Sequence, residues 1–263
     1  MPEPGLPAAF WRAVRNHDRY LLLLDYDGTL APFVAERDRA FPHPGVEGRL
    51  ESIIAAENCR TVIVTGRPVA DIPRLLRLPR LPEIWGCHGW ERLRAEGRLE
   101  SPGLPQSWRR ALVEAAALEG IGCPPHAVER KPFSVAVHWR GLDGGERERL
   151  QVGARRLLGE LAERYLLELH PFDGGLELRC PGRDKGSVVR DLLAEEPPSV
   201  CVVYLGDDLT DEDAFAALEG RGQGILVREE VRPTRATWWI RPPNGLLRFL
   251  DDWKKLLVAG GTE

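Results

Sequence analysis

The sequence predicts an α/β fold in which a parallel sheet core carries an inserted α+β domain. Three short apolar runs, residues 21–24, 61–64 and 200–205, each end abruptly in polar or glycine residues, as buried strands of a parallel sheet do. Helical patterns at 69–76 and 187–194 alternate with these runs, which is typical of strand–helix units. Ligands of such sheets bind beyond the carboxyl ends of the strands. We therefore expect the three polar segments to form one site.

The middle of the chain has a different order of elements. Consecutive strands joined by short links indicate an antiparallel sheet with helices on one face, separate from the parallel sheet. Segments rich in proline and glycine, 101–107 and 180–186, flank it and suit hinges. We predict a core domain formed by residues 1–105 and 181–263 and a cap domain formed by residues 106–180. The predicted cap elements are a helix at 107–119, strands at 127–131 and 134–140, a helix at 146–165, and strands at 166–170 and 176–179.

Composition excludes several classes of protein. The chain has 263 residues, 43% of them hydrophobic and 29% charged, which fits a folded main domain with a smaller one. A net charge of -4 leaves no basic stripe for nucleic acid. The longest apolar run is too short to span a membrane, and no leader pattern is present, so we expect a cytoplasmic protein. The five cysteines form no CxxC pair, which argues against a disulfide framework or a zinc site.

Two carboxylates follow the first apolar run in the motif DYDGTL, residues 25–30. An Asx turn, which Asp-Gly pairs often form, explains Asp27 and Gly28. It leaves the charge of Asp25 beside another carboxylate at the end of a buried strand. Like charges this close require a cation or a shared proton.

A second acidic cluster, GDDLTDED, follows the apolar run 200–205. Thr210 and Asp213 resemble a helix capping box, and acidic residues are favourable in a first helical turn, so capping explains part of the cluster. Capping does not require Asp207 or Asp208. These two residues follow their strand in the same way as the first acidic pair.

Together the clusters supply hard oxygen ligands and no soft ones, which suits Mg²⁺ with a phosphate. Thr65, Gly66 and Arg67 begin a predicted helix, where backbone N–H groups bind anions, although Thr65 is equally explained as a helix N-cap. Lys185 opens another predicted helix, where its charge opposes the helix dipole. A residue placed against its local preference is a functional candidate rather than an ordinary surface lysine. The sequence thus indicates a site for a phosphate and a divalent cation.

The order DYDGTL, TGR, Lys185 before Gly186, then GDDLTDED resembles the four motifs of the haloacid dehalogenase superfamily of phosphatases. Within it the chain is similar to the trehalose-6-phosphate phosphatase family, because GCHGWE (86–91), ERKPFSVAVHWR (129–140) and GGLELRCPGRDKG (174–186) occur in that family's order. The resemblance implies a Rossmann-like parallel sheet core of haloacid dehalogenase type with an inserted αββαββ cap. It also implies Mg²⁺ as cofactor and trehalose 6-phosphate as substrate.

The resemblance further implies roles for the matched positions. Asp25 would be the nucleophile and Asp27 the general acid and base, while Thr65 and Lys185 would hold the phosphate. Mg²⁺ would be held by Asp25, the backbone carbonyl of Asp27, Asp207, Asp208 and Asp211, the last two as supporting carboxylates. The substrate-binding residues would be Gly66, Arg67, Glu129, Lys131 and Glu177. His88 and His138 occur in the family-like motifs without an assigned role.

Three residues, Trp90, Trp139 and Cys180, depart from the family pattern at the cap and its rim. They leave open another sugar phosphate, such as sucrose phosphate or a glycosyl-phosphoglycerate. A phospho-signalling receiver fits less well, because it carries its acidic pair and its phospho-accepting Asp on different strands and has no inserted cap. An inactive phosphatase-like regulatory protein is a further alternative. The small-molecule substrate is one expected partner, and a trehalose-phosphate synthase is the candidate protein partner.

Overall fold

The computed structural model describes residues 6–34, 36–117, 123–124, 127–172 and 174–259. The chain divides into two compact units. Unit 1 comprises residues 1–100 and 184–263, and unit 2 comprises residues 101–183. The predicted domain boundaries, 105/106 and 180/181, lie a few residues inside the limits of unit 2. Unit 2 therefore includes the whole predicted hinge segment 101–107 and the first four residues of the predicted hinge segment 180–186. Its function as a cap stays a prediction.

Unit 1 is built on an eight-stranded sheet. Its strand order is β12-β11-β10-β1-β2-β3-β4-β5, parallel from β12 to β3 and antiparallel beyond it. The register aligns Leu24 of β1 with Leu205 of β10 and Ile63 of β2, so these three strands end side by side. The strands are β1 (Tyr20–Leu24), β2 (Cys59–Val64), β3 (Glu83–Gly86), β4 (Glu91–Leu93), β5 (Leu99–Glu100), β10 (Cys201–Gly206), β11 (Gly222–Val227) and β12 (Trp238–Ile240).

Helices cover both faces of this sheet. Successive residues of β1 point to opposite faces, and all five are buried, which explains why the strand is wholly apolar. Leu22 and Leu24 pack in a core with Phe249 and Trp253, whereas Leu21 and Leu23 pack in a second core. The helices are α1 (Ala8–Val14), α2 (Val46–Ile54), α3 (Ile72–Leu76), α6 (Lys185–Glu195), α7 (Glu212–Ala217) and α8 (Asn244–Ala259).

Unit 2 contains a four-stranded antiparallel sheet of order β6-β7-β9-β8. One face of the sheet is apolar and packs on two helices through residues such as Val135, Val137 and Leu178. The register places the polar residues Glu129 and Glu177 on the other face, opposite the same residue of β7, Ala136. The elements are α4 (Gln106–Ala116), β6 (Val128–Lys131), β7 (Ser134–His138), α5 (Gly144–Tyr165), β8 (Glu168–Phe172) and β9 (Gly175–Arg179).

The predicted fold class is confirmed, including the αββαββ order of the inserted unit. The end of the helix predicted at 107–119 lies partly outside the described residues, since 118 and 119 are not described. The helix predicted at 69–76 is instead a 3₁₀ turn, Val69–Asp71, followed by α3. Within the described ranges, no helix is long and apolar enough to cross a membrane.

Candidate active site

The carboxyl edge of the core sheet brings together three buried aspartates. Carboxylate oxygens of Asp25, Asp207 and Asp211 all lie within 4.8 Å of one another. Asp25 follows β1, and Asp207 follows β10, so the aligned strand ends place them side by side. A Cβ at Gly28 would overlap the carboxylate of Asp207, and the φ of Gly28 is +82°, so only glycine permits this approach. The sequence predicted this convergence from the strand ends.

Lys185 is the cation inside this cluster. Its Nζ donates to Asp25 Oδ1 and to Asp211 Oδ1, each at 2.7 Å. Lys185 is the first residue of α6, whose N-cap Asp184 forms a capping box with Ser187. Burial by itself lowers the pKa of Lys185, but the two carboxylates more than offset this and raise it, so the ammonium stays charged. The unfavourable helix position is therefore compensated by ion pairs in the site.

Asp211 is held by four donors. Its Oδ1 also accepts the Tyr204 hydroxyl at 2.6 Å, and its Oδ2 accepts the backbone N–H groups of Asp207 and Asp208 at 3.0 and 2.9 Å. Both oxygens are thus engaged by protein donors, which makes Asp211 a brace between Lys185 and the GDD segment. The capping box of this segment joins Asp208 and Asp211 rather than Thr210 and Asp213. Tyr204 was not identified from the sequence, because a tyrosine inside an apolar strand gives no signal of its own.

The charge of Asp207 is compensated only weakly, by Arg228 Nη1 at 4.0 Å from its Oδ2. Its Oδ1 is buried without a hydrogen-bond partner. Burial raises the pKa of Asp207 well above its ordinary value, and the charges of Asp25, Asp211 and Asp208 raise it further. Burial raises the pKa of Asp25 to about 7, with Lys185 opposing and Asp211 adding to the shift. The residues present therefore fit a small divalent cation with oxygen ligands. Binding by Asp208 and by the carbonyl of Asp27 stays a prediction.

Asp27 is paired with Arg67. The guanidinium Nε and Nη2 donate to the two carboxylate oxygens at 2.7 and 2.6 Å, and Nη1 donates to the carbonyl of Arg37 at 3.0 Å. The Arg67 side chain is only 6% exposed, compared with 29% for Asp27. Arg67 thus orients the predicted general acid and base, a contact that the TGR motif alone did not indicate. A direct contact of Arg67 with phosphate stays a prediction.

The segments after β2 and β3 interlock beside these residues. Thr65 is fully buried, and its hydroxyl oxygen accepts the backbone N–H of Arg67 at 3.1 Å, so it caps this turn rather than a helix. The N–H of His88 donates to the Thr65 carbonyl at 3.0 Å. A Cβ at Gly66 would lie 2.6 Å from the imidazole of His88, so the ring occupies the space that a side chain would need. Glu91 accepts the N–H of Val69 at 2.8 Å and braces the same turn.

Unit 2 has a polar cluster of its own on the sheet face opposite its helices. Lys131 Nζ lies 2.8 Å from Glu177 and 3.2 Å from Glu129. Glu177, only 2% exposed, also accepts Ser134 Oγ at 2.6 Å and both Nε and Nη2 of Arg179. Glu129 in turn contacts His138 Nε2 at 2.8 Å. The three predicted sugar-binding residues thus form one buried cluster, to which the sequence alone did not assign Ser134 or Arg179.

Several solved structures share the fold of this protein. The C-terminal domain of C. albicans trehalose-6-phosphate phosphatase matches with a TM-score of 0.81 at 21% identity, covering 96% of this chain and 98% of that one. A haloacid dehalogenase-like hydrolase from Bacteroides thetaiotaomicron matches with a TM-score of 0.58 at 16% identity, covering 89% and 99%. The C-terminal domain of a Candida albicans trehalose synthase regulatory protein matches with a TM-score of 0.72 at 14% identity, covering 95% and 100%. The fold is that of the haloacid dehalogenase-like hydrolases.

Sequence comparison gives the family within this class. The profile described as Trehalose-phosphatase matches residues 23–238. Trehalose-phosphate phosphatase B of Arabidopsis thaliana is 31% identical over 265 residues, covering 91% of this chain and 68% of the relative. Trehalose-phosphate phosphatase of Mycobacterium ulcerans is 32% identical over 232 residues, covering 83% and 56%. The chain belongs to the trehalose-phosphatase family of hydrolases, which confirms the resemblance. It spans between about half and two thirds of the length of these curated relatives.

Proposed function

We propose that this protein is a Mg²⁺-dependent phosphatase that hydrolyses trehalose 6-phosphate to trehalose and inorganic phosphate through a phosphoryl-Asp25 intermediate. The observation that carries the proposal is the buried cluster of Asp25, Asp207 and Asp211 around Lys185. One lysine charge does not balance three carboxylates, so the cluster is suited to a divalent cation and an approaching phosphate.

Mg²⁺, held by Asp25, Asp207 and the carbonyl of Asp27, would neutralise charge on the phosphate oxygens and favour the ionised form of Asp25. Lys185 adds a fixed positive charge 2.7 Å from Asp25 Oδ1. Thr65 and the turn at Gly66 would orient the phosphate at the end of β2. Since phosphoryl transfer depends on alignment and charge stabilisation, these residues supply what the reaction needs.

In the first half of the reaction, a carboxylate oxygen of Asp25 attacks phosphorus and the bond from phosphorus to the sugar oxygen breaks. Asp27, in its protonated form, gives a proton to the leaving sugar oxygen. In the second half, ionised Asp27 takes a proton from water, the water oxygen attacks phosphorus, and the bond to Asp25 breaks. Splitting one difficult displacement into two lowers each barrier.

The pairing of Asp27 with Arg67 fits the second half directly, because the guanidinium holds both carboxylate oxygens in a fixed position. In the first half the same pairing must loosen so that Asp27 can carry a proton. A side chain that is 29% exposed has access to solvent for that exchange. Asp27 thus alternates between an Arg67-paired base and a released acid.

Specificity for trehalose 6-phosphate is proposed from the family and from the cluster of Glu129, Lys131 and Glu177 in unit 2. Ionised and hydrogen-bonding groups on one sheet face can bind several sugar hydroxyls at once. All three side chains are largely buried, so they are not an ordinary solvated strand face. Contacts of these residues with the sugar are part of the proposal.

The test is phosphate release from a panel of sugar phosphates, with Mg²⁺ and with chelator. The panel contains trehalose 6-phosphate, sucrose 6-phosphate, a glycosyl-phosphoglycerate and glucose 6-phosphate. Wild type, Asp25→Asn and Asp38→Asn are compared, Asp38 being an exposed aspartate of the same unit. We expect Mg²⁺-dependent release from trehalose 6-phosphate that is lost in Asp25→Asn and retained in Asp38→Asn.

Release from another sugar phosphate alone would keep the mechanism and reject the substrate. The absence of release from every substrate would instead support the alternative of a regulatory protein without activity. The fold does not separate these possibilities, since a regulatory protein shares it. The complete acidic cluster with its lysine favours the enzyme.

A further inference from the structure

The loop after β11, residues 228–237, lies against the GDD segment and is called here the arginine loop. Arg232 Nη2 donates to the carbonyl of Asp208 at 2.8 Å and to the carbonyl of Asp207 at 3.3 Å. Its Nη1 contacts Glu212 Oε1 at 2.5 Å. A single guanidinium therefore joins the segment that carries Asp207 to the first turn of α7.

Glu212 fixes the arginine loop in return. Its carboxylate accepts the Thr234 hydroxyl at 2.8 Å and the backbone N–H of Arg235 at 2.7 Å. An exposed ion pair by itself contributes little to stability. Here the Arg232 side chain is only 16% exposed, and the guanidinium also serves two backbone carbonyls, so the contact does more than pair two surface charges.

The GDD segment is consequently held from both sides. On one side, Asp211 accepts the N–H groups of Asp207 and Asp208. On the other side, Arg232 donates to the carbonyls of the same two residues. These four contacts hold three consecutive peptide groups, from 206–207 to 208–209, and with them the direction in which the Asp207 side chain leaves the backbone.

The Asp207 carboxylate has little room to move. Its carboxylate lies so close to Gly28 that a Cβ there would overlap it, and its Oδ1 is buried without a hydrogen-bond partner. Since metal ligands act at fixed distances, a small displacement of this carboxylate weakens binding. Arg228, 4.0 Å from Asp207 Oδ2, adds positive charge on the same side.

Resting on the proposed function, we propose that Arg232 is a positioning residue that orients Asp207 for divalent-cation binding by holding the carbonyls of the GDD segment. Arg232 itself contacts neither substrate nor cation. Its loss keeps the Asp207 carboxylate but removes two of the hydrogen bonds that hold the backbone around it, while Asp211 and the 3.4 Å contact of Arg228 Nη1 with the Asp207 carbonyl remain.

The test compares the variants Arg232→Gln and Arg232→Lys with a matched control, Arg235→Gln. Arg235 lies in the same loop, its side chain is exposed, and only its backbone N–H bonds Glu212. Mg²⁺ affinity is measured from the rise in melting temperature during a MgCl₂ titration, which requires no substrate. The kcat and KM for trehalose 6-phosphate are measured at saturating Mg²⁺.

We expect Arg232→Gln to weaken Mg²⁺ binding roughly 10- to 100-fold and to lower kcat with KM unchanged. Arg232→Lys keeps the charge without the planar fork and should lie between wild type and Arg232→Gln. Arg235→Gln should match wild type. If Arg232→Gln binds Mg²⁺ as tightly as Arg235→Gln does, or only melts at a lower temperature with unchanged Mg²⁺ affinity, the inference is wrong.

The outcomes separate this inference from the proposed function. A wild type that binds Mg²⁺ but releases no phosphate from any substrate would reject the proposed function. The Mg²⁺ titration of the variants would still decide the role of Arg232. Should Arg232→Gln fail to fold, Arg232→Lys provides the same comparison.

Discussion

The two units contain buried polar clusters that differ in the balance of their charges. In unit 1, the carboxylates of Asp25 and Asp211 share the ammonium of Lys185, and the neighbouring carboxylate of Asp207 lies 4.0 Å from Arg228. In unit 2, Glu129 and Glu177 are matched by Lys131 and Arg179, with His138 as a further partner. Both clusters are buried, but of the two only the unit 1 cluster has more negative than positive charges.

The difference appears in the pKa values. Burial, with the neighbouring carboxylates, raises the pKa of Asp25 to about 7 and that of Asp207 well above its ordinary value. For Lys131, burial acts to lower the pKa, yet Glu177 and Glu129 more than offset this and raise it. The unit 2 cluster thus has matched charges, whereas the unit 1 cluster keeps excess negative charge that an added cation would offset. Removing one acid from each cluster should have opposite effects on stability.

The largest expected effect comes from Asp207→Asn. Loss of a cation ligand should lower kcat by about 10³-fold, the equivalent of several kcal/mol of charge stabilisation. In the absence of Mg²⁺ the free energy of unfolding of the same variant should be about 1–3 kcal/mol higher than that of wild type, because a neutral amide avoids the cost of burying a carboxylate beside Asp25 and Asp211. Urea unfolding with chelator measures the second effect. A variant less stable than wild type under chelation would contradict the charge imbalance.

Glu177→Gln tests the balanced cluster. Removing one charge leaves Lys131 and Arg179 buried without their shared carboxylate, which should cost about 3–5 kcal/mol of unfolding free energy. Urea unfolding followed by circular dichroism measures it. Glu163→Gln on the exposed side of α5 is the control and should match wild type. An equal stability of Glu177→Gln and the control would show that the cluster is not electrostatically coupled.

Tyr204→Phe sharpens the comparison inside unit 1. The variant removes the 2.6 Å hydrogen bond to Asp211 Oδ1 and leaves both ion pairs of Lys185 in place. We expect a loss of about 1.5–3 kcal/mol of stability, as for other hydrogen bonds to charged groups, and a decrease in kcat of roughly tenfold. Thermal unfolding and steady-state kinetics measure the two effects. Unchanged kcat would mean that Lys185 and the backbone N–H groups of Asp207 and Asp208 position Asp211 without Tyr204.

The smallest expected effect concerns a third cluster, in unit 1, where Arg60 and Arg92 bind Glu83 and Glu195. Hydrogen bonds from Arg92, opposed by burial and assisted by Arg60, lower the pKa of Glu195 from 4.5 to about 2. A lowered pKa in the folded state means that the stabilisation is complete above pH 4.5 and is lost as the pH falls to about 2.

Glu195→Gln should therefore lower the unfolding free energy above pH 4.5, by about 1 kcal/mol or less because the side chain is partly exposed. The difference from wild type should shrink between pH 4.5 and 2. Urea unfolding at several pH values measures it, with the exposed Glu219→Gln as control. A difference from wild type that does not change with pH would rule out the ionised contact as its source.

The strand ends were predictable because each apolar run stops at a polar residue and parallel strands share one edge. Asp25, Thr65 and Asp207 were placed at that edge for this reason. The partners that hold them were not predictable in the same way. Tyr204 lies within an apolar strand, and Arg232 lies in a charged loop, so neither residue differs from its neighbours in the sequence.

Arg67 shows a second limit of prediction from the sequence. Its position after β2 predicted a contact with phosphate, which stays a prediction, but did not indicate that its guanidinium pairs with Asp27, 40 positions away in the chain. Which of several nearby anions a long side chain binds depends on distances that the sequence does not contain. The same limit applies to the predicted cap residues. The alternation of side chains along a strand placed Glu129 and Lys131 on one face of the sheet but did not indicate that their side chains are largely buried.

By itself, the sequence determined the class of fold, the order of its elements and the residue types that converge at the sheet edge. Those properties follow from local patterns: apolar runs, capping signals and the fixed direction of parallel strands. Only the tertiary structure decided which charges are balanced, since pairing depends on contacts between residues far apart in the chain. Burial then turns each such pairing, or its absence, into a large electrostatic effect.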